Sequence, residues 1–550
     1  MAEVAFAGQG AEVTFTQQGM WVTEQNVSVG TAYHMPLIIH LNGELDVGAL
    51  LAACAAVADR HPMLGSVVTE VDNGLRLAPG AQVPVRHAPA QDAHTAGMHA
   101  AQDVHTAGMH TAQDVRAVRD AHTAQDVHAV EQGAHAVEQD GRTAAEQGVH
   151  AAVREEILRE FDLEKGPLAR FTLFEVGPER HLLLFVAHHL VFDGQSKDIL
   201  VRDLAALYNG EPPPPLPAID HGRAERDRVA SMLPAAREFW KPRWRDPGET
   251  LVLGQSLRSR RAGEGRVVRF TADPSIPGLT RFEVLLAALH VCLLGYGNAE
   301  VTTAVDLSTR PSEAAGHIGL FVNELPVASS PSPETTFRAF ATTLRAELRE
   351  VYRFRQVPLS RAMPRIRPHA ALVPVSVSYR TRHDPDPVFT GLDASVEWTV
   401  SNHAVRGALH LQCVDGPGGL EVGLRHDPEA VPGADRVATD LCLLLERAIH
   451  DPDQRLNELL ENEMASVTTL TDQVREIWEE VLGISPIEDH DDIFDLGGHS
   501  LTITQIIARM RKRLDVEVSL DDFFDNPTIA GVVESLADET GNDLTGTDGD

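Results

Sequence analysis

The chain has 550 residues, 43% apolar and 23% charged, enough at roughly 150 residues per domain for about three or four folded units. Its 80 Asp and Glu outnumber 47 Lys and Arg, giving a formal charge of −33 that argues against nonspecific binding to nucleic acid or to an anionic membrane. There is no uninterrupted run of about 18 apolar residues and no leader-like pattern at the start, and Cys54, Cys292, Cys413 and Cys442 are too scattered for a metal set. The expectation is a cytoplasmic chain in a reducing compartment, with no metal, no membrane and no nucleic acid among its partners.

The first ordered stretch is 14–88. TFTQQGMW at Thr14–Trp21 precedes a strand in HMPLIIHLNGELD, and the Ala- and Leu-rich GALLAACAAVADRH predicts a packed helix ending near His61-Pro62. GSVVTEVDNGLRLAP then has strand and turn character. Residues 91–150 change composition: TAGMH recurs 11 residues apart, at Thr95 and Thr106, HAVEQ recurs at His128 and His135, and eight of the 26 histidines fall here. An 11-residue period suits a helix, at about 3.67 residues per turn. The segment is expected to be a low-complexity insertion, either a projecting helix or a disordered loop, and repetition alone accounts for its histidines.

From Ala151 the pattern predicts a helix, a Gly-Pro break and a strand. HLLLFVAHH is a second strand, followed after Asp193-Gly194 by the helical spacing of SKDILVRDLAALYNG. The EPPPPLP run at Glu211–Pro217 cannot continue a helix and reads as a crossover between lobes. Beyond it, Arg281–Leu294 and Ala438–His450 predict helices, while Val301–Leu307, Leu372–Tyr379, Leu409–Val414, Leu420–Leu424 and the region of Glu397 predict strands. Such alternation favours α/β lobes over a helical bundle. A last unit, 468–540, holds 17 Asp and Glu against five Lys and Arg, a net of −12. DQVREIWEEVLG and SLTITQIIARMRKRL are its helices, a further helix follows the Pro527 break, and 541–550 is a flexible tail.

Two motifs carry chemistry. In His188-His189-Leu190-Val191-Phe192-Asp193-Gly194, a strand-to-turn position can fix one imidazole near a substrate and bury a partner carboxylate, an arrangement suited to attack of an amine or alcohol on an acyl group. In Asp492-Ile493-Phe494-Asp495-Leu496-Gly497-Gly498-His499-Ser500-Leu501, a serine follows paired glycines at a helix start, where an introduced phosphate is favoured; residue types alone favour the plainer reading of Ser500 as an N-cap. No phosphate-binding loop with a following lysine occurs at Gly8–Gly10, and Gly416–Gly419 reads as a turn.

The HHLVFDG segment, together with TFTQQGMW, RHPML at Arg60–Leu64 and IGLFVNELP at Ile318–Pro326, resembles the condensation domains of nonribosomal peptide synthetases over most of 14–455, and DxFxLGGHSL resembles a peptidyl carrier protein. The resemblance implies an α/β fold of two chloramphenicol-acetyltransferase-like lobes in a V: 1–217, including the 91–150 insertion, and 218–455. A linker 456–467 and a small helical carrier domain 468–540 follow. It implies that His189 is the catalytic histidine, as general base or positioning group. His188, Asp193, Gly194 and Arg310 would support it, with Asp193 paired to Arg310. Ser500 would carry covalent 4′-phosphopantetheine, with Asp495, Leu496, Gly498, His499 and Ile503, and beside them Ile506, shaping carrier recognition.

The implied reaction is amide formation between a carrier-bound acyl or aminoacyl thioester and an amine, in antibiotic or other secondary metabolism. The implied partners are a phosphopantetheinyl transferase, a donor carrier protein, a downstream synthetase or thioesterase and, since no adenylation region is recognisable, a separate adenylation enzyme. Ester formation, epimerisation and a noncatalytic carrier or scaffold role stand as alternatives.

Overall fold

The computed structural model describes residues 10–71, 74–88, 144–246, 248–364, 366, 369–460, 470–484, 486–494, 496–514, 516, 518, 523 and 527–533. The repeats in 91–143, Asp495 and the tail expected at 541–550 therefore lie outside the described residues. Two compact units divide at Asn457.

Two sheets organise the first unit. One has five strands in the order Asp393–Glu397, His34–Asn42, Arg180–His188, Ala169–Gly177, Val85–Ala88. Its alternating strands bury both faces, because adjacent side chains point to opposite sides. Leu37, Ile39, Leu41, Leu183, Phe185 and Ala187 pack on one side with the helices Val47–Arg60 and Gly194–Tyr208. Ile38, Leu182, Leu184 and Val186 pack on the other against Val149, Val153 and Ile157. Those last three share one stripe of the helix Ala144–Leu158, so this helix begins seven residues before the start expected at Ala151. The end of the insertion thus supplies core.

The second sheet has six strands in the order Arg266–Ala272, Gly419–His426, Leu409–Gly416, Val375–Thr381, Val301–Ser308, Val322–Ser329. Its two central pairings, of Val375–Thr381 with Val301–Ser308 and with Leu409–Gly416, are parallel. The helix Arg281–Gly295 is apolar nearly all round and buried from Glu283 to Leu293, with a Thr280/Glu283 capping box fixing its start. The helices Phe337–Arg353 and Ala434–His450 are amphipathic. Strand Asp393–Glu397 leaves this second half of the chain and pairs antiparallel with His34–Asn42, tying the lobes together by main-chain bonds.

The second unit is built on the helices Leu470–Leu482 and Ser500–Leu514 around Trp478, Ile493, Ile503, Ile506, Met510 and Phe523. Trp478 and Phe523 stack with ring centroids 5.7 Å apart.

Candidate active site and modification site

The HHLVFDG segment connects a strand to a helix. Strand Arg180–His188 ends on the first histidine, a single 3-10 turn spans His189–Val191, and Asp193 caps the helix Gly194–Tyr208 through a 2.7 Å bond from the Ser196 amide. His188 Nδ1 accepts from the Leu190 amide (3.1 Å), so its Nε2–H donates to Glu24 (2.9 Å). Glu24 lies on the helix Phe15–Asn26, whose Gln17 also donates to the Leu190 carbonyl at 3.0 Å. The TFTQQGMW segment therefore clamps the histidine turn, and His188 serves that clamp.

His189 donates through Nδ1–H to its own Phe192 carbonyl (2.7 Å), leaving Nε2 as the basic nitrogen on a residue that lines a cavity of about 620 Å³. Burial and then the Arg406 guanidinium push the His189 pKa below the ordinary 6.5, opposed by the Phe192 bond and the Asp306 carboxylate. The ring is thus a neutral imidazole at physiological pH. Tyr33 packs at 6.0 Å from His188 and 6.4 Å from His189, between ring centroids, and its hydroxyl is pushed up to about 12 by burial.

Asp193 lines the same cavity, but its carboxylate is committed to protein donors. Its carboxylate accepts from Ser196 N and Oγ (both 2.7 Å), from Phe321 N (3.0 Å) and from Arg310 Nη2 (2.8 and 2.9 Å). Arg310 also donates to the carbonyls of Ala314 and His317 and lies over the Phe321 ring at 4.2 Å. This network locks the turn to the IGLFVNELP segment. The RHPML segment is tied to the same helix, with Arg60 Nε and His61 Nε2 at 2.7 and 2.9 Å from Asp203. Gly194 lines the cavity where a Cβ would come within 3.2 Å of Arg380 Cδ, so the absence of a side chain preserves space there.

Sequence reasoning missed the rest of the wall. Asp306, Lys197, His410, Arg406 and Arg425 all line this cavity. Arg406 Nη2 lies 3.4 Å from Asp306 and 3.9 Å from Glu324. Burial opposes the charge on Arg406, but the two carboxylates hold it protonated above its ordinary range, while burial raises Glu324 to about 7. His410 is held neutral by burial and the nearby Arg406, between Ser376 Oγ (2.8 Å) and Ser378 Oγ (3.1 Å). A signal existed only in part, as isolated charges in otherwise apolar strands.

In the second unit the glycine pair makes a tight turn. Gly497 has φ +86°, and a Cβ on Gly498 would lie 2.6 Å from the Ile493 carbonyl oxygen, so the backbone itself fills this approach. The turn delivers the chain to a helix beginning at Ser500, a terminus that favours a phosphate on that residue. His499 is exposed and Leu496 half-buried. Ile503 and Ile506 are fully buried among Trp478 and Phe523, which corrects the expectation that they offer an apolar surface to partners. The exposed apolar side chains beside the motif are Leu501, 64% exposed, and Phe494, 38% exposed.

Residues 110–465 match the family model described as condensation domain, and residues 472–536 match that of the phosphopantetheine attachment site. Tyrocidine synthase 3 of Brevibacillus parabrevis is 23% identical over 485 residues, covering 81% of this chain and 6% of that protein. Surfactin synthase subunit 1 of Bacillus subtilis (strain 168) is 25% identical over 484 residues, covering 82% of this chain and 12% of that protein. The chain therefore spans only a small part of these relatives. Among solved structures, the first condensation domain of the calcium-dependent antibiotic synthetase, in complex with a substrate analogue, has a TM-score of 0.60 at 18% identity, covering 82% of this chain and 98% of that one. A teicoplanin-biosynthesis X-domain in complex with OxyB has a TM-score of 0.60 at 22% identity, covering 84% and 97%. At these identities the structures establish the fold.

Proposed function

Because the chain belongs to the condensation-domain family and carries a phosphopantetheine attachment site behind that domain, we propose that it joins a carrier-bound acyl or aminoacyl donor to an amine at His189 and that Ser500 bears the prosthetic arm. The observation that carries this reading is the cavity-lining His189, whose Nδ1–H is committed to Phe192 so that Nε2 is left to meet the reacting amine. The amine nitrogen bonds to the donor carbonyl carbon, the carbon–sulfur bond breaks, and the nitrogen's proton passes through His189 Nε2 to the departing sulfur. A base held below its ordinary pKa is poorly matched to stripping a free ammonium; it is suited to orienting the neutral amine and taking its proton as the new bond forms. Holding both reactants in one cavity supplies the proximity that such a reaction needs, without a protein nucleophile.

The 4′-phosphopantetheine of a carrier domain supplies a flexible arm ending in a thiol. The reading is supported by the turn at Gly497-Gly498, which leads into the helix that Ser500 opens, with His499 and Leu501 at the surface beside it. A phosphopantetheinyl transferase and other synthetase modules are the partners of such a domain; a separate adenylation enzyme and a donor carrier complete the set we propose. The four free cysteines fit work in the reducing cytoplasm, and no helix among the described residues is long and apolar enough to cross a membrane.

The test loads Ser500 with an aminoacyl arm, supplies donor carriers and follows the chain by intact-protein mass spectrometry. A mass gain that His189→Ala abolishes is the expected result. An unchanged rate in that variant refutes the role of His189, an unchanged mass with inverted stereochemistry points to epimerisation, and persistence of the arm in Ser500→Ala refutes the attachment site.

A further inference from the structure

The cavity at His189 holds more positive charge than its carboxylates answer. Four basic side chains line it: Lys197, Arg380, Arg406 and Arg425. Arg380 is paired with Asp198, and Arg406 with Asp306. Arg425 is only 9% exposed, and its hydrogen bonds go to neutral acceptors alone: Asn402 Oδ1 (2.6 Å), Gln412 Oε1 (2.7 Å) and the Val400 carbonyl (3.1 Å). Lys197, 3% exposed, donates to the carbonyls of Pro36 (2.7 Å) and Trp398 (3.2 Å). Among the described residues neither cation makes an ion pair. Carbonyl dipoles solvate a buried cation without cancelling its charge, so an anion entering here gains field from both.

Burial pushes Arg425 down to about 10 and Lys197 well below its ordinary range, with other arginines adding repulsion in each case and the Asp198 carboxylate only partly offsetting it at Lys197. The strands fix where this charge sits. Arg425 is the cross-strand partner of His410, and its charge helps to hold His410 neutral. Arg425 and Lys197 line the cavity that His189 also lines.

We propose that the substrate reacting at His189 bears a carboxylate, seated against Arg425 and Lys197. This rests on the condensation reading and narrows it to acidic substrates. Two sources share the chemistry: the free carboxylate of an unloaded amino-acid acceptor, or the side-chain carboxylate of an acidic residue already joined through its α-carboxyl to the arm on Ser500.

Calorimetric titration of the full phosphopantetheinylated chain with glutarate and with its neutral isostere glutaramide tests the site without any reaction. Glutarate should bind at least tenfold more tightly, and Arg425→Gln should remove that preference. Modification of Arg425 by phenylglyoxal, mapped by peptide mass spectrometry in the unmutated chain, should be suppressed by glutarate but not by glutaramide, which keeps the test valid should the variant fail to fold. Equal affinities, or an Arg425 unprotected by glutarate, overturn the proposal.

Single-turnover reactions then compare free glutamine with its α-amide, and glutamyl-loaded with glutaminyl-loaded chain; the pair that favours the acid by tenfold or more names the source, and no preference in either pair overturns the proposal. His189→Ala separates the two claims. Glutarate binding intact alongside undiminished condensation sinks the condensation role of His189 and leaves the anion site standing, whereas condensation lost in His189→Ala with no glutarate preference in the unmutated chain sinks the anion site alone.

Discussion

Replacing Arg310 by methionine removes the cation from a pair in which the side chains are only 4% and 2% exposed. Breaking a buried pair by deleting one partner costs about 3–5 kcal/mol, because the other charge is left uncompensated. Asp193 keeps three donors, from Ser196 N, Ser196 Oγ and Phe321 N, so the expected loss is near the lower end, about 3 kcal/mol. Arg310→Lys should lie between, since a single ammonium cannot serve Asp193 together with the Ala314 and His317 carbonyls. Asp193→Asn with Arg310→Met removes both charges and should recover at least half of the single-variant loss.

Urea unfolding of the unmutated chain, Arg310→Met, Asp193→Asn and the double variant, with the transition of the first unit separated from that of the second, gives the double-mutant cycle. Condensation rate measured in parallel should fall with the loss of the turn geometry, even where the folded fraction is complete. A single-variant loss under about 1 kcal/mol, or losses that simply add in the double variant, would refute the claim that this pair holds the His189 turn.

Stability should fall on acidification below pH 6.5. Burial lowers His34 and His221 to about 4 and His290 to about 3, so the unfolded chain binds more protons between those values and 6.5. Their contribution is complete above the unfolded pKa and is lost as the pH falls toward the folded ones, by up to about 1.4 kcal/mol per pH unit for each group. Urea midpoints at pH 7, 6, 5 and 4 check this, and a flat profile contradicts it. The acid limb of kcat/KM should lie below pH 6.5 and move upward in Arg406→Gln, since burial and Arg406 are the two leading causes that lower His189; an unmoved limb removes Arg406 from that role. Trp478→Ala should cost the second unit about 3–5 kcal/mol and reduce phosphopantetheine loading, while the urea transition of the first unit stays in place.

Much of the fold was legible where one period governed a whole element. Leu182–Ala187 alternates between two packed faces, and Val284–Leu294 is apolar but for His290 over about three turns, so strand and buried helix were both readable. The helix His221–Arg243 was not, because it is hydrophilic on average and contains Pro234 and Pro242. The start of the helix at Ala144 was hidden by repeat composition, although Val149 already stands in register with Val153 and Ile157. Strand Asp393–Glu397 read as sheet near Glu397, but nothing local says that its partner is His34–Asn42, some 350 residues earlier in the chain.

The same division runs through the site. His188 to Gly194 are neighbours in sequence, so one motif reports their turn, and the residues that clamp it, Gln17, Glu24, Arg310 and Phe321, come from segments that themselves resemble family motifs or adjoin them. The charged wall has no such local record. Lys197 is set by the rotation of one helix, and Ser376, His410 and Arg425 meet only because three strands pair in a particular register, Ser376 with His410 and His410 with Arg425. A shift of one residue in either pairing would turn those side chains to the opposite face of the sheet. The reaction we propose is thus recorded in contiguous motifs, and the selectivity we infer is recorded in sheet register, which is why the sequence indicated an acyl-transfer chemistry without indicating the charge of its substrate.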